Sequence, residues 1–280
     1  MIRPRQKELF AVIGNPVGHS LSPTMMHAAF EHLQIPAVYL ALEVDSIRED
    51  LEVIWKMGLR GLSVTLPHKE AAYSESASTD DTAKAIGAVN TLRRHESGWE
   101  GMNTDWIGSN RALEQVGGIK GKRALVLGAG GAARAVVYGL ILGGAQVTIS
   151  NRSTERGRAL AEAFRCDFIP LSQLEGVSSN GSFDLVVQCT SVGLLGNEES
   201  QLVSESFFRP GMVVMDTVYR PLWTPFLHQA KKAGCLTVHG SEMLLHQGVA
   251  QLEWWLGQES LPTVAVQSMR NALWKALSNG

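Results

Sequence analysis

A run of small residues, Gly128-Ala129-Gly130-Gly131-Ala132-Ala133, stands where the apolar stretch Ala124-Leu125-Val126-Leu127 gives way to a helical pattern that runs from Ala132 to Leu142. This is the spacing of a dinucleotide turn. The first glycine permits a tight bend, the second leaves room for a phosphate, and free amides at the helix start meet the pyrophosphate charge. A connector that served only packing would not need the strand-to-helix context. About twenty residues further on, at the end of the next strand, an NAD site usually carries an acid for the ribose 2′-hydroxyl. Here the chain reads Asn151-Arg152-Ser153-Thr154-Glu155-Arg156. Arg152 and Arg156 suit a 2′-phosphate, Ser153 and Thr154 add hydroxyls, and the lone acid Glu155 sits late and between donors. The cofactor expected is NADP.

Reactive side chains also collect in the first hundred residues. Gly14-Asn15-Pro16-Val17-Gly18-His19-Ser20-Leu21-Ser22-Pro23 places two hydroxyls just before a helix, where hydroxyls and amides suit a carboxylate. Taken alone, Ser22 reads as the cap of that helix, with Pro23 at its first position. Ser63-Val64-Thr65-Leu66-Pro67-His68-Lys69 ends a strand in a sharp turn that projects a lysine, and Gly87-Ala88-Val89-Asn90-Thr91 and Asn103-Thr104-Asp105 follow. A single lysine or aspartate in a loop is ordinarily solvated surface.

The elements that must position these groups alternate. Leu9 to Gly14, Val38 to Leu42 and Leu62 to Leu66 read as strands, and Pro23 to Leu33 and Ile47 to Met57 as helices. The rhythm recurs from Arg123 to Thr217, where Ala124–Leu127, Gln146–Ile149, Leu185–Val187 and Met212–Met215 have the continuous apolar character of buried parallel strands. The fold class expected is α/β with two α/β domains. Residues 1–104 form a substrate-binding domain completed by helices in 241–280, and residues 105–240 form a Rossmann-type NADP domain. The boundary falls near Asn103 to Trp106, before a helix from Ile107 to Val116. The helical tail, with Trp254, Trp255 and Trp274, is expected to pack on the first domain, because aromatics at helical spacing are usually core.

Bulk composition excludes several classes. The 25 lysines and arginines nearly balance 27 aspartates and glutamates, without like-charge runs, so nucleic acid is not an expected partner. The polar start, residues 1–8, lacks the apolar core of about 7 to 15 residues that a secretory signal needs. The greasiest stretch, Ala135 to Ile149, is cut by glycines and falls short of the roughly 20 apolar residues of a bilayer span. A cytoplasmic protein is expected. Cys166, Cys189 and Cys235 are odd in number and far apart, and the histidines form no HExxH, so neither a disulfide framework nor a metal is expected.

Together the motifs resemble the shikimate dehydrogenase family, in the family's order from Ile13 to about Trp255. The resemblance rests on Ser20-Leu21-Ser22-Pro23, Val64 to Lys69, Gly87 to Thr91, Asn103-Thr104-Asp105, the glycine loop and Asn151-Arg152-Ser153. It continues through Thr190-Ser191-Val192-Gly193, Asp216 to Pro221 with Thr224-Pro225, and Gly240-Ser241-Glu242-Met243-Leu244 with Gln247. It implies reversible reduction of 3-dehydroshikimate to shikimate by NADPH, with the substrate in a cleft between domains. It further implies that Ser20 and Ser22 hold the substrate carboxylate, that Thr65, Asn90, Tyr219 and Gln247 contact ring hydroxyls or carboxylate, and that Lys69 and Asp105 are the catalytic pair. On the cofactor side it implies Gly128, Ala129, Gly130, Gly131 and Ala132 at the pyrophosphate, and Asn151, Arg152, Ser153, Thr154 and Arg156 at the 2′-phosphate. Thr190 and Ser191 follow, then Thr217, Val218 and Gly240 near the nicotinamide, with Asp81 as a peripheral acidic contact. The chain departs from the family's commonest pattern with Ser63 and Gln188 for asparagines, Ser153 for threonine, and Leu194 and Thr217 for methionines. A small-molecule substrate is the expected partner, with a homodimer as a candidate assembly. Two rivals stay open: a quinate/shikimate paralogue using NAD, and a non-catalytic dinucleotide-responsive protein. Arg152 argues against NAD, the paired serines leave quinate open, and a non-catalytic protein would be expected to lack Lys69 or Asp105.

Overall fold

In the computed structural model, which describes residues 7–175, 183–194 and 202–278, the apolar runs pair into two six-stranded sheets. Most of the N-terminal segment read above for a secretory signal lies outside the described residues. The chain divides into two units, Met1–Thr104 with Gln247–Gly280, and Asp105–His246. The second boundary falls inside the helix Gly240–Leu256.

The first sheet has the order β2-β1-β3-β5-β6-β4, from β1 Glu8–Gly14, β2 Ala37–Glu43, β3 Gly61–Val64, β4 Ser78–Thr79, β5 Thr91–His95 and β6 Gly98–Met102. β1 pairs in parallel with β2 and β3 through the crossover helices α1 (Ser22–His32) and α2 (Ile47–Lys56). The hairpin β5-β6 was not expected from the sequence. It pairs antiparallel to β3 and makes the sheet mixed. Its strands carry charge: Arg93 donates to Glu100 across the hairpin (2.7 Å) and lies 4.3 Å from the centre of the Trp254 ring. Leu92 and Trp99 are the buried apolar residues of the two strands and stand among polar and charged neighbours, so no apolar run advertises the strands.

Trp255 makes the tail part of this core. Its ring lies 5.0 Å from Phe10 and 6.4 Å from Tyr39, and its Nε1 donates to Leu92 O at 3.0 Å. The last helix, Thr263–Ser278, runs along α1, where Ser268 Oγ donates to Ala28 O (3.4 Å).

The second sheet has the order β12-β11-β10-β7-β8-β9 and is parallel throughout, from β7 Arg123–Leu127, β8 Gln146–Asn151, β9 Asp167–Pro170, β10 Leu185–Gln188, β11 Val213–Asp216 and β12 Leu236–Val238. Both of its faces are buried. Ala124, Val126, Leu185 and Val187 enter one apolar cluster and Leu125, Leu127 and Val186 the other, the two-residue period of a strand covered on both sides. Strand order reverses between β7 and β10, the position at which doubly wound sheets open a ligand crevice. Helices α5 (Asp105–Glu114), α6 (Gly131–Leu142) and α7 (Thr154–Phe164) belong to this unit.

The Trp255 contact makes a prediction. A Cβ at Gly61 would stand 2.6 Å from two ring atoms of Trp255, a ring already fixed by Phe10 and Leu92. Gly61→Ala should therefore cost about 1–3 kcal/mol, as overpacking does. Thermal unfolding is expected several degrees lower, and an unchanged midpoint would contradict the packing described.

Candidate active site

Because β5 runs antiparallel to both β3 and β6, the end of β3, the start of β5 and the end of β6 meet at one edge, with Ser63 opposite Thr91 and Thr91 opposite Met102. Thr65, Asn90 and Asn103-Thr104 therefore share that edge although they lie far apart in the chain. The backbone stitches it: Val64 N donates to Asn90 O (2.7 Å), Thr65 N to Ile13 O (2.9 Å) and Asn15 N to Leu66 O (3.0 Å). The last two bonds bring the segment carrying Ser20 and Ser22 beside Thr65. Gly14 is needed there, since a Cβ would overlap Thr65 Cγ2 and come within 3.0 Å of Leu66 O.

The structure corrects one local reading. Ser22 is not the cap of α1; the helix begins at Ser22, the cap position is Leu21, and Ser22 N donates to Ser20 Oγ at 3.3 Å. The tight Val17–Ser20 turn, with Ser20 N donating to Val17 O (3.0 Å), starts the helix earlier and leaves the Ser22 hydroxyl without the capping role.

Lys69 opens the helix α3 (Lys69–Glu75) and is half-buried. Its backbone is held from both sides. Lys69 O accepts from Val89 N (2.9 Å), and the preceding His68 is buried with Nε2 2.6 Å from Val44 O, a contact only an Nε2-protonated ring can make. Asp105 is buried, begins α5, and directly follows Thr104, whose N–H donates to Asn90 Oδ1 (2.7 Å). Asn90 Nδ2 donates in turn to Gln247 Oε1 at 3.4 Å. Asp81 lies in the first turn of α4 (Asp81–Ile86), exposed and paired with Lys84 at 3.1 Å.

In the second unit Gly128 has φ +120° and donates its N–H to Ser150 O at 2.8 Å, and a Cβ there would stand 3.2 Å from the Cys189 backbone. Only glycine accommodates both the dihedral and the approach. Gly130 is the cap of α6, and a Cβ built on it meets nothing within 4 Å. Open space thus lies in front of a helix N-terminus, a cradle that fits a pyrophosphate. At the end of β8, Asn151 Nδ2 donates to Ser153 O (2.9 Å) and Ser153 Oγ accepts from Arg156 N (3.4 Å) as the cap of α7, while Arg152, Thr154 and Arg156 are exposed.

The loops after β10 and β11 are tied to each other by Gln188 and Asp216, two side chains to which the sequence reading gave no site role. Gln188 Oε1 accepts from Thr190 N, and its Nε2 donates to Val192 O (2.8 Å) and to Asp216 Oδ1 (3.2 Å). Asp216 also accepts from Val218 N (2.9 Å) and Thr224 Oγ1 (2.6 Å). These bonds set Thr190, Ser191, Thr217 and Val218; Tyr219, next in the chain, is half-buried. Gly240 closes the arrangement, because a Cβ would come within 2.6 Å of both Thr217 O and Val218 O. Among the described residues no group of three or more His, Cys, Asp or Glu could hold a metal, and no helix is long and apolar enough to cross a membrane.

Residues 12–92 match the model of the shikimate dehydrogenase substrate binding domain, and residues 110–211 the model of shikimate / quinate 5-dehydrogenase. The chain is 59% identical over 278 residues to shikimate dehydrogenase (NADP(+)) of Syntrophobacter fumaroxidans, covering 99% of this chain and 97% of the relative. The chain belongs to the shikimate dehydrogenase family. The enzyme of that name from Archaeoglobus fulgidus is 41% identical over 95% of this chain and 97% of its own. The crystal structure of shikimate 5-dehydrogenase from Thermus thermophilus, in complex with NADP(H) and shikimate, superposes with a TM-score of 0.86 at 36% identity, covering 96% of this chain and all of that one. The family models span Ser20 to Asn90 and the glycine loop to Ser191; Asp105, Tyr219, Gly240 and Gln247 fall outside both and within the full-length match.

Burial pushes the Asp216 carboxyl from an ordinary 3.8 up to about 7, against the lowering effect of its hydrogen bonds. The folded protein then binds a proton that the unfolded chain has released, so this group's contribution to stability falls as pH rises from about 4 to about 7. Asp216→Asn should remove that slope. The difference in unfolding temperature between wild type and variant is expected to shift by a few degrees in the variant's favour from pH 5 to pH 8, and a difference independent of pH would contradict it.

Proposed function

We propose that the chain catalyses the reversible NADP-dependent oxidation of shikimate, running in biosynthesis as reduction of 3-dehydroshikimate to shikimate. The full-length 59% identity to an NADP-dependent shikimate dehydrogenase carries this reading, and the two constellations described above supply its chemistry. Residues 1–104 with 241–280 serve as the substrate domain and 105–240 as the NADP domain.

At the substrate, Ser20 and Ser22 bind the carboxylate, and Thr65, Asn90, Tyr219 and Gln247 bind hydroxyls or carboxylate. At the cofactor, Gly128, Ala129, Gly130, Gly131 and Ala132 cradle the pyrophosphate. Asn151, Arg152, Ser153, Thr154 and Arg156 take the 2′-phosphate, where exposed guanidiniums at a strand end favour NADP over NAD. Thr190, Ser191, Thr217, Val218 and Gly240 line the approach to the nicotinamide, and Asp81 is a peripheral contact. NADPH, when bound, supplies the hydride. As negative charge builds on the C3 carbonyl oxygen, the Lys69 ammonium stabilises it and then delivers the proton, while Asp105 orients Lys69 and accepts a hydrogen bond from the neighbouring hydroxyl.

Cytoplasmic location and a small-molecule substrate accord with this reading, and a homodimer is its candidate assembly. The matched family model also names quinate, which keeps a quinate-oxidising activity as the second reading.

Incubating the protein with shikimate or quinate, each with NADP or NAD, decides between these readings by NADPH or NADH absorbance. Shikimate with NADP is expected to give the highest kcat/KM, and no reduction of NADP by shikimate would overturn the assignment. Lys69→Ala is expected to lower kcat about 10²-fold or more with a modest change in KM, as loss of a general acid does; wild-type turnover would reject the role given to Lys69.

A further inference from the structure

Lys69 opens a helix that cannot fix its own start. α3 has seven residues, about two turns, and so short a helix holds together only through contacts with the rest of the fold. The residue at its cap position, His68, makes no side-chain bond to the first amides. Its ring faces another element instead, where Nε2 donates to Val44 O at 2.6 Å, just past the end of β2. Val44 is 4% exposed, which leaves its carbonyl little access to water in place of the ring. The Val44 peptide is anchored on its other side too, since its N–H donates to Gly14 O (3.1 Å). Asn15 N donates to Leu66 O (3.0 Å), and His68 N donates to Thr65 O (3.0 Å). The bonds close a circuit that runs from Gly14 through Val44 and His68 to the Thr65-Leu66 turn and back to Asn15. Every link is backbone to backbone except the His68 ring.

That ring is the one link a side-chain substitution can open. Without it the start of α3 keeps its bond from Val89 N to Lys69 O but loses its tie to the segment that leads from Gly14 to Ser20 and Ser22. Because Nε2 must keep its hydrogen for a carbonyl, that nitrogen is not available as a base. We propose that His68 is a positioning residue for Lys69: by closing the circuit through Val44 O it sets where the first turn of α3, and with it the lysine, stands relative to Thr65 and the two serines. The inference rests on the proposed shikimate-oxidising activity, in which Lys69 is the proton donor. Small displacements of a reacting group cost rate more than binding, so the effect belongs in kcat.

Three variants test it. His68→Phe keeps a ring and drops the donor, and is expected to lower kcat for shikimate oxidation about tenfold, the worth of one hydrogen bond, with KM for NADP little changed. His68→Gln, whose amide nitrogen can donate in place of Nε2, should regain most of that loss. Added to Lys69→Ala, His68→Phe should lower kcat by no more than about twofold further, because no ammonium is left to position. Wild-type kcat in His68→Phe would overturn the proposal. So would a loss that His68→Gln does not regain, or a full tenfold loss on top of Lys69→Ala, which would show that His68 acts independently of the lysine. If His68→Phe does not fold, His68→Met takes its place with the same expectations. A wild-type protein inactive on shikimate would instead overturn the functional reading, which keeps the two failures apart.

Discussion

The first unit depends on the constraint that three strand ends must be joined at one edge without leaving buried polar groups unpaired. Asn90 meets it. Its backbone oxygen accepts from Val64 N on β3, its nitrogen donates to Met102 O at the end of β6 (3.2 Å), and its side-chain oxygen accepts from Thr104 N just beyond. Remove that side chain and the buried Thr104 N–H would lose the oxygen it donates to, at a cost of about 1–3 kcal/mol. The same geometry that keeps the sheet intact places Thr65, Asn90 and Thr104 together and leads the chain directly into Asp105.

The second unit solves the corresponding problem with a carboxylate. Asp216 and Gln188 gather the loops after β10 and β11 through Thr190 N, Val192 O, Val218 N and Thr224 Oγ1. A neutral amide such as Asn90 performs such a role at any pH, whereas a buried carboxyl raised to about 7 is sensitive to protonation in the physiological range. Burial raises the same-edge Cys189 thiol well above the usual thiol range, with Asp216 and Asp105 adding to it, so this thiol is held protonated.

These two edges divide the chemical labour. One gathers amides and hydroxyls together with a lysine whose backbone is fixed by His68 and Val89; the other offers a helix N-terminus opening on empty space and guanidiniums at a strand end. Membership of the shikimate dehydrogenase family accounts for both in one chain.

The sequence by itself determined the α/β class, the glycine turn and the parallel strands, because glycine dihedrals and fully apolar strands are local signals. The position of Arg152 was legible too, since it directly follows Asn151 at the end of β8. Residues spread along the chain, Ser20, Lys69, Asn90 and Asp105, were legible only through their resemblance to a family, because each alone is an ordinary surface residue or cap. Only the tertiary structure decided the rest. The β5-β6 hairpin buries only the scattered apolar residues Leu92 and Trp99 among charged neighbours, and Ser22 lost its expected capping role to the turn before it. The His68 ring meets Val44 O, 24 residues away and just past the end of β2. Which nitrogen of such a ring carries the hydrogen depends on the carbonyl it faces, and no local pattern encodes a partner supplied by a distant element.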